Sequence, residues 1–473
     1  MTIGKNKINN EKSNHDIQYD LVLNNGNIIS FDPDTVLKNC SVGVSEGIIK
    51  EISDTPLNGK TVVDVTGKYV APGFIDFHSH VSGKKFSAEC VIRQGATTTI
   101  SGERNFDRQV IKDISQNGFL INHGFHISHS FTLRRAVGHR DIYTAATTDE
   151  INDMKTLLEE FLKSGAFAVH FGLEYVPGTS FDEILALSEI AKKYDRPLLM
   201  HTRGDGINAL DHFQEIEKVM KQTGVSVHLV HLVYMTGYQG YMEKSLELIK
   251  NWRSLGYDVT VDTGLYPAYP SCFGSSLLHG DWTKRYGGRI SEKDVLISSG
   301  IYTGEFCTKE RFNVLRERFP YTMATVFVGE DPAIDKAIVE PFVMISSNSA
   351  DGPHYEDVGH PESAGTFPKL LGYYVRTRKL LELIPAVSKI TREPALRFGV
   401  PNKGFVKEGY DADIVVFDFD KIMDCAKYAC DGDPNEPPEG IDLVYVNGKQ
   451  VCSYNVINRE KNYGKTVKHK SYV

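Results

Sequence analysis

Two kinds of apolar spacing divide the chain. From Tyr19 to Val70, apolar residues fall in short runs: Asp20-Leu-Val-Leu, Asn27-Ile-Ile-Ser and Ile48-Ile-Lys-Glu-Ile. Asn24-Asn-Gly and Ser45-Glu-Gly interrupt them, a pattern that predicts strands joined by tight turns. Near the other end, Asp413-Ile-Val-Val-Phe-Asp and Asp442-Leu-Val-Tyr-Val read as strands, and Asn447-Gly448 as a hairpin turn. The economical reading is one small β-sandwich assembled from residues 17–72 and 401–473. Separate modules at the two ends are the alternative.

Residues 73–400 alternate instead. Strands are predicted over 73–80, 97–102, 124–130, 166–172, 197–201, 226–231, 258–263 and 341–346, with helical patterns between several of them. Ile151, Met154, Leu158 and Phe161 or Leu162 follow the helical period. Thr147 and Glu150 form a capping box before them, and Gly165 provides a stop. Ser180 and Glu183 open a second helix through Ile184, Leu187 and Ala191. Eight βα units close naturally into an α/β fold of the TIM-like (β/α)8 type, although doubly wound sheets share the alternation. The stretch near 272–339 contains Gly287-Gly288, falls between the last two strands and reads as an insertion or lid.

Composition narrows the picture. A chain of 473 residues exceeds one ordinary core and suits a barrel with a smaller domain. With 41% hydrophobic and 24% charged residues it can bury a sizeable core. A net charge of -8 argues against nucleic acid or an anionic membrane as the main partner. A small-molecule substrate is the expected partner. Homo-oligomerisation is left open. Residues 1–16 are polar and predict a disordered tail, not a signal peptide or membrane span. The seven cysteines are odd in number and lack CxxC spacing, as expected of reduced thiols in the cytoplasm.

Barrel enzymes place their chemistry at the C-terminal ends of strands. His78 and His80 end the first predicted strand, and a period of two points both imidazoles to one face. Such a pair suits zinc or a similar divalent ion, and equally suits two packed histidines. His201 ends the fifth strand in Leu198-Leu-Met-His-Thr-Arg, and His231 the sixth in Val227-His-Leu-Val-His. Asp351 follows the eighth in Ser346-Ser-Asn-Ser-Ala-Asp-Gly. Together these five residues predict a metal centre. His228 and His170 are read as core or supporting histidines. His129 is a candidate for substrate contact, with packing as the alternative.

Ala71-Pro-Gly-Phe-Ile-Asp-Phe-His-Ser-His resembles the first-strand signature of the amidohydrolase superfamily. Gly95-Ala-Thr-Thr, Gly172-Leu-Glu-Tyr-Val-Pro-Gly, His201-Thr-Arg-Gly-Asp-Gly, Tyr266-Pro267, Asp351-Gly352, His360-Pro361 and Gly409-Tyr-Asp-Ala-Asp extend the resemblance. Within the superfamily the chain resembles the N-acyl-D-amino-acid deacylases, or D-aminoacylases, over nearly its whole length. That resemblance implies the barrel and a β-sandwich from both termini. It makes His78, His80, His201 and His231 ligands of one or two zinc ions, and Asp351 a ligand and the general base and acid. It also matches Tyr175, Arg203 and Tyr266 to substrate-binding positions. The implied reaction is amide hydrolysis by metal-activated water, with Tyr266 or His129 as oxyanion donor.

Three departures stand out. The family's cysteine after the second strand is missing from Ser101-Gly-Glu-Arg-Asn, where Glu103 is the nearest residue able to ligate. Glu103 is therefore the candidate metal bridge, with Glu174 as rival and a surface salt bridge to Arg104 as the structural alternative. The family's His-Pro-Arg reads His360-Pro361-Glu362, and Leu232-Val-Tyr stands where a lysine is usual. Both changes remove charge that would pair with a substrate carboxylate. Competing readings are a cyclic-amide hydrolase of the hydantoinase or dihydropyrimidinase type, and a barrel that binds without catalysing.

Overall fold

The structure, a computed structural model, describes residues 18–102, 108–349 and 359–472. Glu103, Asp351 and the predicted tail of residues 1–16 lie outside the described residues.

Eight parallel strands close into a barrel. They are Phe74–Ser79, Ala96–Ser101, a third in two pieces (Asn122–Phe125 and Ile127–Ser128), Val169–Gly172, Leu198–His201, Val227–Leu229, Val259–Thr263 and Val343–Ile345. The third strand breaks at His126, whose amide donates to Ser101 O at 2.8 Å while the Ile127 amide donates to Ala168 O at 3.0 Å. One residue thus switches pairing from the second strand to the fourth. Closure occurs just beyond the eighth strand. Asn348 N donates to His78 O at 3.0 Å, and His80 N donates to Ser349 O at 3.2 Å. Ser347 adds two bonds to the buried Asp76 carboxylate, 3.1 Å from its amide and 2.5 Å from its hydroxyl. These bonds distinguish a barrel from an open doubly wound sheet.

The helix Thr148–Lys163 begins with the expected reciprocal capping box between Thr147 and Glu150. The helix Phe181–Lys193 begins with half of one. Ser180 Oγ accepts from the Glu183 amide, but the Glu183 carboxylate turns inward to His129 and Arg134. A buried ion pair outcompetes the local cap there.

Both chain ends build one nine-stranded sheet. Its two halves join where Tyr69–Pro72 pairs antiparallel with Ile414–Phe417. Side-chain alternation explains how the sheet attaches. Val70, Ile414 and Val416 face an apolar core belonging to the sheet, with Leu21, Val42 and Ile49. Their neighbours Ala71, Val415 and Phe417 face the barrel core with Phe74. The final residues leave the sheet and bridge to the barrel, Gly464 to Phe119 and Thr466 to His123.

A three-stranded antiparallel sheet, made of Ala268–Cys272, Val295–Ile297 and Met323–Phe327, lies between the seventh and eighth barrel strands. Further on, the helix Asp331–Ile338 packs against the barrel beside Tyr241–Ser254.

A buried polar junction fastens sheet to barrel. Asp413 Oδ2 accepts from Asn122 Nδ2 at 2.9 Å and pairs with the Lys403 ammonium, while Oδ1 accepts from the Asn447 amide at 2.8 Å. Lys403 also reaches Asp411 at 2.8 Å. Replacing Lys403 with Met leaves a buried acid without its counter-ion. Urea unfolding of this variant is expected to show a loss of about 3–5 kcal/mol.

Candidate metal centre and cavity

The strand ends converge on one cavity. His78 and His80 from the first strand, His170 from the fourth, His201 from the fifth and His231 beyond the sixth all line it. Their rings form a tight group: His78 and His231 centroids lie 5.2 Å apart, His201 and His231 4.6 Å, and His78 and His170 6.3 Å.

Asp262, on the seventh strand and fully buried, organises this group. Its Oδ2 lies 3.1 Å from His78 Nδ1 and 2.9 Å from His228 Nε2. Its Oδ1 accepts from the His231 amide at 2.7 Å and from Ser346 Oγ at 2.9 Å. Burial favours the neutral acid, but His78 and His228 outweigh burial and hold the carboxyl far below the usual range. His231 needs the anchor, because its backbone sits in the left-handed region at φ 33°. A bulky residue there costs on the order of 1–3 kcal/mol.

A second carboxylate group surrounds His201. Its Nε2 lies 2.8 Å from Glu174 Oε2 and 3.2 Å from Asp205 Oδ1. Burial disfavours charge on His201, yet these two acids raise its pKa well above the ordinary value. Burial also pushes Asp205 up, with Glu174 adding to it, to about 7. Glu174 falls to about 2 because His201 and Arg285 overcome its burial.

These residues fit a divalent ion. One ligand atom each from Glu174, His201 and Asp205 lies within 4.8 Å of the others. The Nδ1 atoms of His170 and His231 are buried with no hydrogen-bond partner among the described residues. Burial drives both imidazoles well below their ordinary pKa, so they are neutral and carry lone pairs. Nitrogen and carboxylate donors in this mixture suit zinc and its neighbours.

Residues 69–257 and 334–451 match the model of the amidohydrolase family. The chain belongs to the amidohydrolase family. It is 30% identical to the D-aminoacylase of Alcaligenes xylosoxydans xylosoxydans, over 92% of this chain and 94% of that one. The crystal structure of D-aminoacylase superposes with a TM-score of 0.82 at 26% identity, covering 95% of this chain and 100% of that one. An N-acyl-D-glutamate deacylase from Bordetella bronchiseptica, solved with zinc and a phosphonate mimic of the tetrahedral intermediate, superposes with a TM-score of 0.83. It is 24% identical and covers 96% of this chain and 100% of that one, a likeness of fold.

Four expectations about this amidohydrolase need correction. His129 does not line the cavity. Its Nε2 lies 2.7 Å from Glu183, its ring stacks on Phe171, and Arg134 completes a buried structural network. Arg203 is held by Glu215 at 2.8 and 3.2 Å and by Pro177 O, and is not among the residues lining the cavity. Tyr266 donates to Asp424 at 3.2 Å beneath the Lys369 ammonium, again outside the cavity lining. His170, read as a core or supporting histidine, lines the cavity itself. Tyr175 lines the cavity, its ring edge-on to His201 with centroids 5.8 Å apart. His228 is the buried supporting residue expected, bonded to Thr260 and Asp262.

The sequence reading missed Asp205, Asp262, Tyr234, Tyr269 and Asn348. Asp205 lies within His201-Thr-Arg-Gly-Asp-Gly, four residues after its partner. Asp262 lies near the end of the seventh strand, where the strand-end rule applies as it does elsewhere. Tyr234 and Asn348 line the cavity, and both bond to Glu362 behind it, at 2.5 and 3.3 Å. Burial holds the Glu362 carboxyl well above its ordinary pKa, and this acid stands at the family's arginine position.

Asp262 orients a candidate ligand, so Asp262→Asn is expected to weaken metal retention about 10–100-fold. Metal content after equilibration with graded chelator measures this. Retention equal to the unaltered protein would limit Asp262 to closing the barrel.

Proposed function

We propose that this amidohydrolase is a zinc-dependent deacylase of N-acyl-D-amino acids or related N-acyl compounds. The convergence of His78, His80, His201 and His231 on one cavity carries this reading, supported by the D-aminoacylase relationship. These four histidines, with Asp351 and either Glu103 or Glu174, would hold one zinc ion or two. Glu174 has the supporting geometry, 2.8 Å from His201 Nε2.

When bound, the metal acidifies water and polarises the scissile carbonyl. The protein supplies the rest. Asp351, proposed on the family pattern, takes the proton from the attacking water and returns it to the leaving nitrogen, which cannot depart as an anion. The backbone leading to it is fixed by the Asn348 and Ser349 bonds to the first strand. His129 and Tyr266 are turned elsewhere, while the rings of Tyr175, Tyr234 and Tyr269 line the cavity in which the oxyanion would develop. Phe131, Leu277 and Met323 supply apolar wall against which a side chain or acyl group packs.

No helix among the described residues is long and apolar enough to cross a membrane. The seven unpaired cysteines support a reducing, cytoplasmic setting.

Removing the metal is expected to abolish hydrolysis, and zinc to restore it. Paired N-acetyl-D- and N-acetyl-L-amino acids, with hydantoins alongside, identify the substrate. Acetate release confined to L-substrates would reject the D assignment, and ring opening alone would favour the cyclic-amide reading. Asp351→Asn is expected to lower kcat by about 10²–10⁴-fold.

A further inference from the structure

The family pattern places arginine and lysine where this chain has Glu362 and Leu232-Val-Tyr, and Arg203 is bound to Glu215. A substrate carboxylate therefore needs another cation. Among the described residues, no lysine or arginine lines the cavity itself. One guanidinium stands immediately beside it. Arg285, in the turn Trp282–Tyr286, pairs through Nη1 with Glu174, the same acid that lies 2.8 Å from the cavity residue His201. Its charge also acts on Asp205 and Tyr269, both of which line the cavity.

Two features make this more than a surface ion pair. Nε and Nη2 of Arg285 make no hydrogen bond to any described residue, so one edge of the fork is unused. The side chain is 27% exposed, so a ligand can reach it while Glu174 holds the other edge in place. The close approach is also built into the backbone. Gly206 has φ +69°, and a Cβ there would collide with the Arg285 carbonyl. The glycine of His201-Thr-Arg-Gly-Asp-Gly thus lets the turn that carries Arg285 settle against the metal-centre loop.

Resting on the deacylase reading, we propose that Arg285 is the carboxylate-recognition residue of this chain, pairing its unused edge with the α-carboxylate of an N-acyl-amino acid. Glu174 then serves as the positioning residue that aims it. The positive charge has moved from the barrel's own strand ends to the segment between the seventh and eighth strands.

The test compares N-acetyl-D-leucine with N-acetyl-D-leucinamide, which differ in the charge Arg285 would read. Zinc content of each variant is measured in parallel. In Arg285→Met the ratio of kcat/KM for acid over amide is expected to fall about tenfold or more, mainly through KM, as for loss of a charge-assisted hydrogen bond. Arg285→Lys, which keeps charge but not the fork, is expected to lie between, and it stands in if the methionine variant fails to fold. A ratio unchanged in both variants overturns the assignment and leaves the deacylase reading intact. Failure of the unaltered enzyme to hydrolyse either compound overturns that reading and Arg285's role with it.

Discussion

A carboxylate cut off from water must be surrounded by donors, and Asp262 meets that demand by drawing in four groups from three other strands or strand ends. An uncompensated charge at that depth would cost several kcal/mol. Meeting the demand fixes His78 from the first strand, His228 and the His231 backbone from the sixth, and Ser346 from the eighth. The hydrogen bond to His78 Nδ1 also selects a tautomer. With the proton on Nδ1, the lone pair lies on Nε2. One buried acid thereby ties strand ends together, stabilises a left-handed histidine and fixes which nitrogen of a neighbouring histidine carries its lone pair.

The acids around His201 act differently. Asp205 rises towards neutrality chiefly because it is buried, and Glu174 beside it adds to the rise. Arg285 satisfies part of the demand from one side, on Glu174. Neutral His170 and His231 present lone pairs from the other. Asp262 is a closed arrangement with every oxygen satisfied. The His201 group is open, and open donor sets are where metal and substrate are accommodated.

The fold was legible because strand runs and helical periods are local. Eight strands and the first capping box could be read from spacing alone. The cavity histidines could be read because a period of two and the strand-end rule say where such residues point. The failures were matters of competition that spacing does not express. His129 follows the third strand, but the chain kinks at His126 and passes into the turn His129–Leu133, where Glu183 captures the ring. Arg203 and Tyr266 occupy matching motif positions, yet Glu215 and Asp424 hold them elsewhere. Motif identity names a residue without naming its partner. Asp262 lies one residue from the end of the seventh strand, a position as informative as those of the histidines.

Precision and variability are divided between different parts of the chain. Metal ligands must be held within about half an ångström, and barrel strands cross-linked by hydrogen bonds can do that. Selectivity requires surfaces that can change without disturbing the ligands, and connecting segments are suited to it. Tyr269, Pro270, Leu277 and Met323 on the cavity wall, and Arg285 beside it, all come from the segment between the seventh and eighth strands. Glu362 illustrates the division from the other side. Glu362, at the arginine position, anchors Tyr234 and Asn348, and Asn348 in turn reaches His80 at 3.2 Å. That residue thus holds the cavity wall, and among the described residues no lysine or arginine lines the cavity.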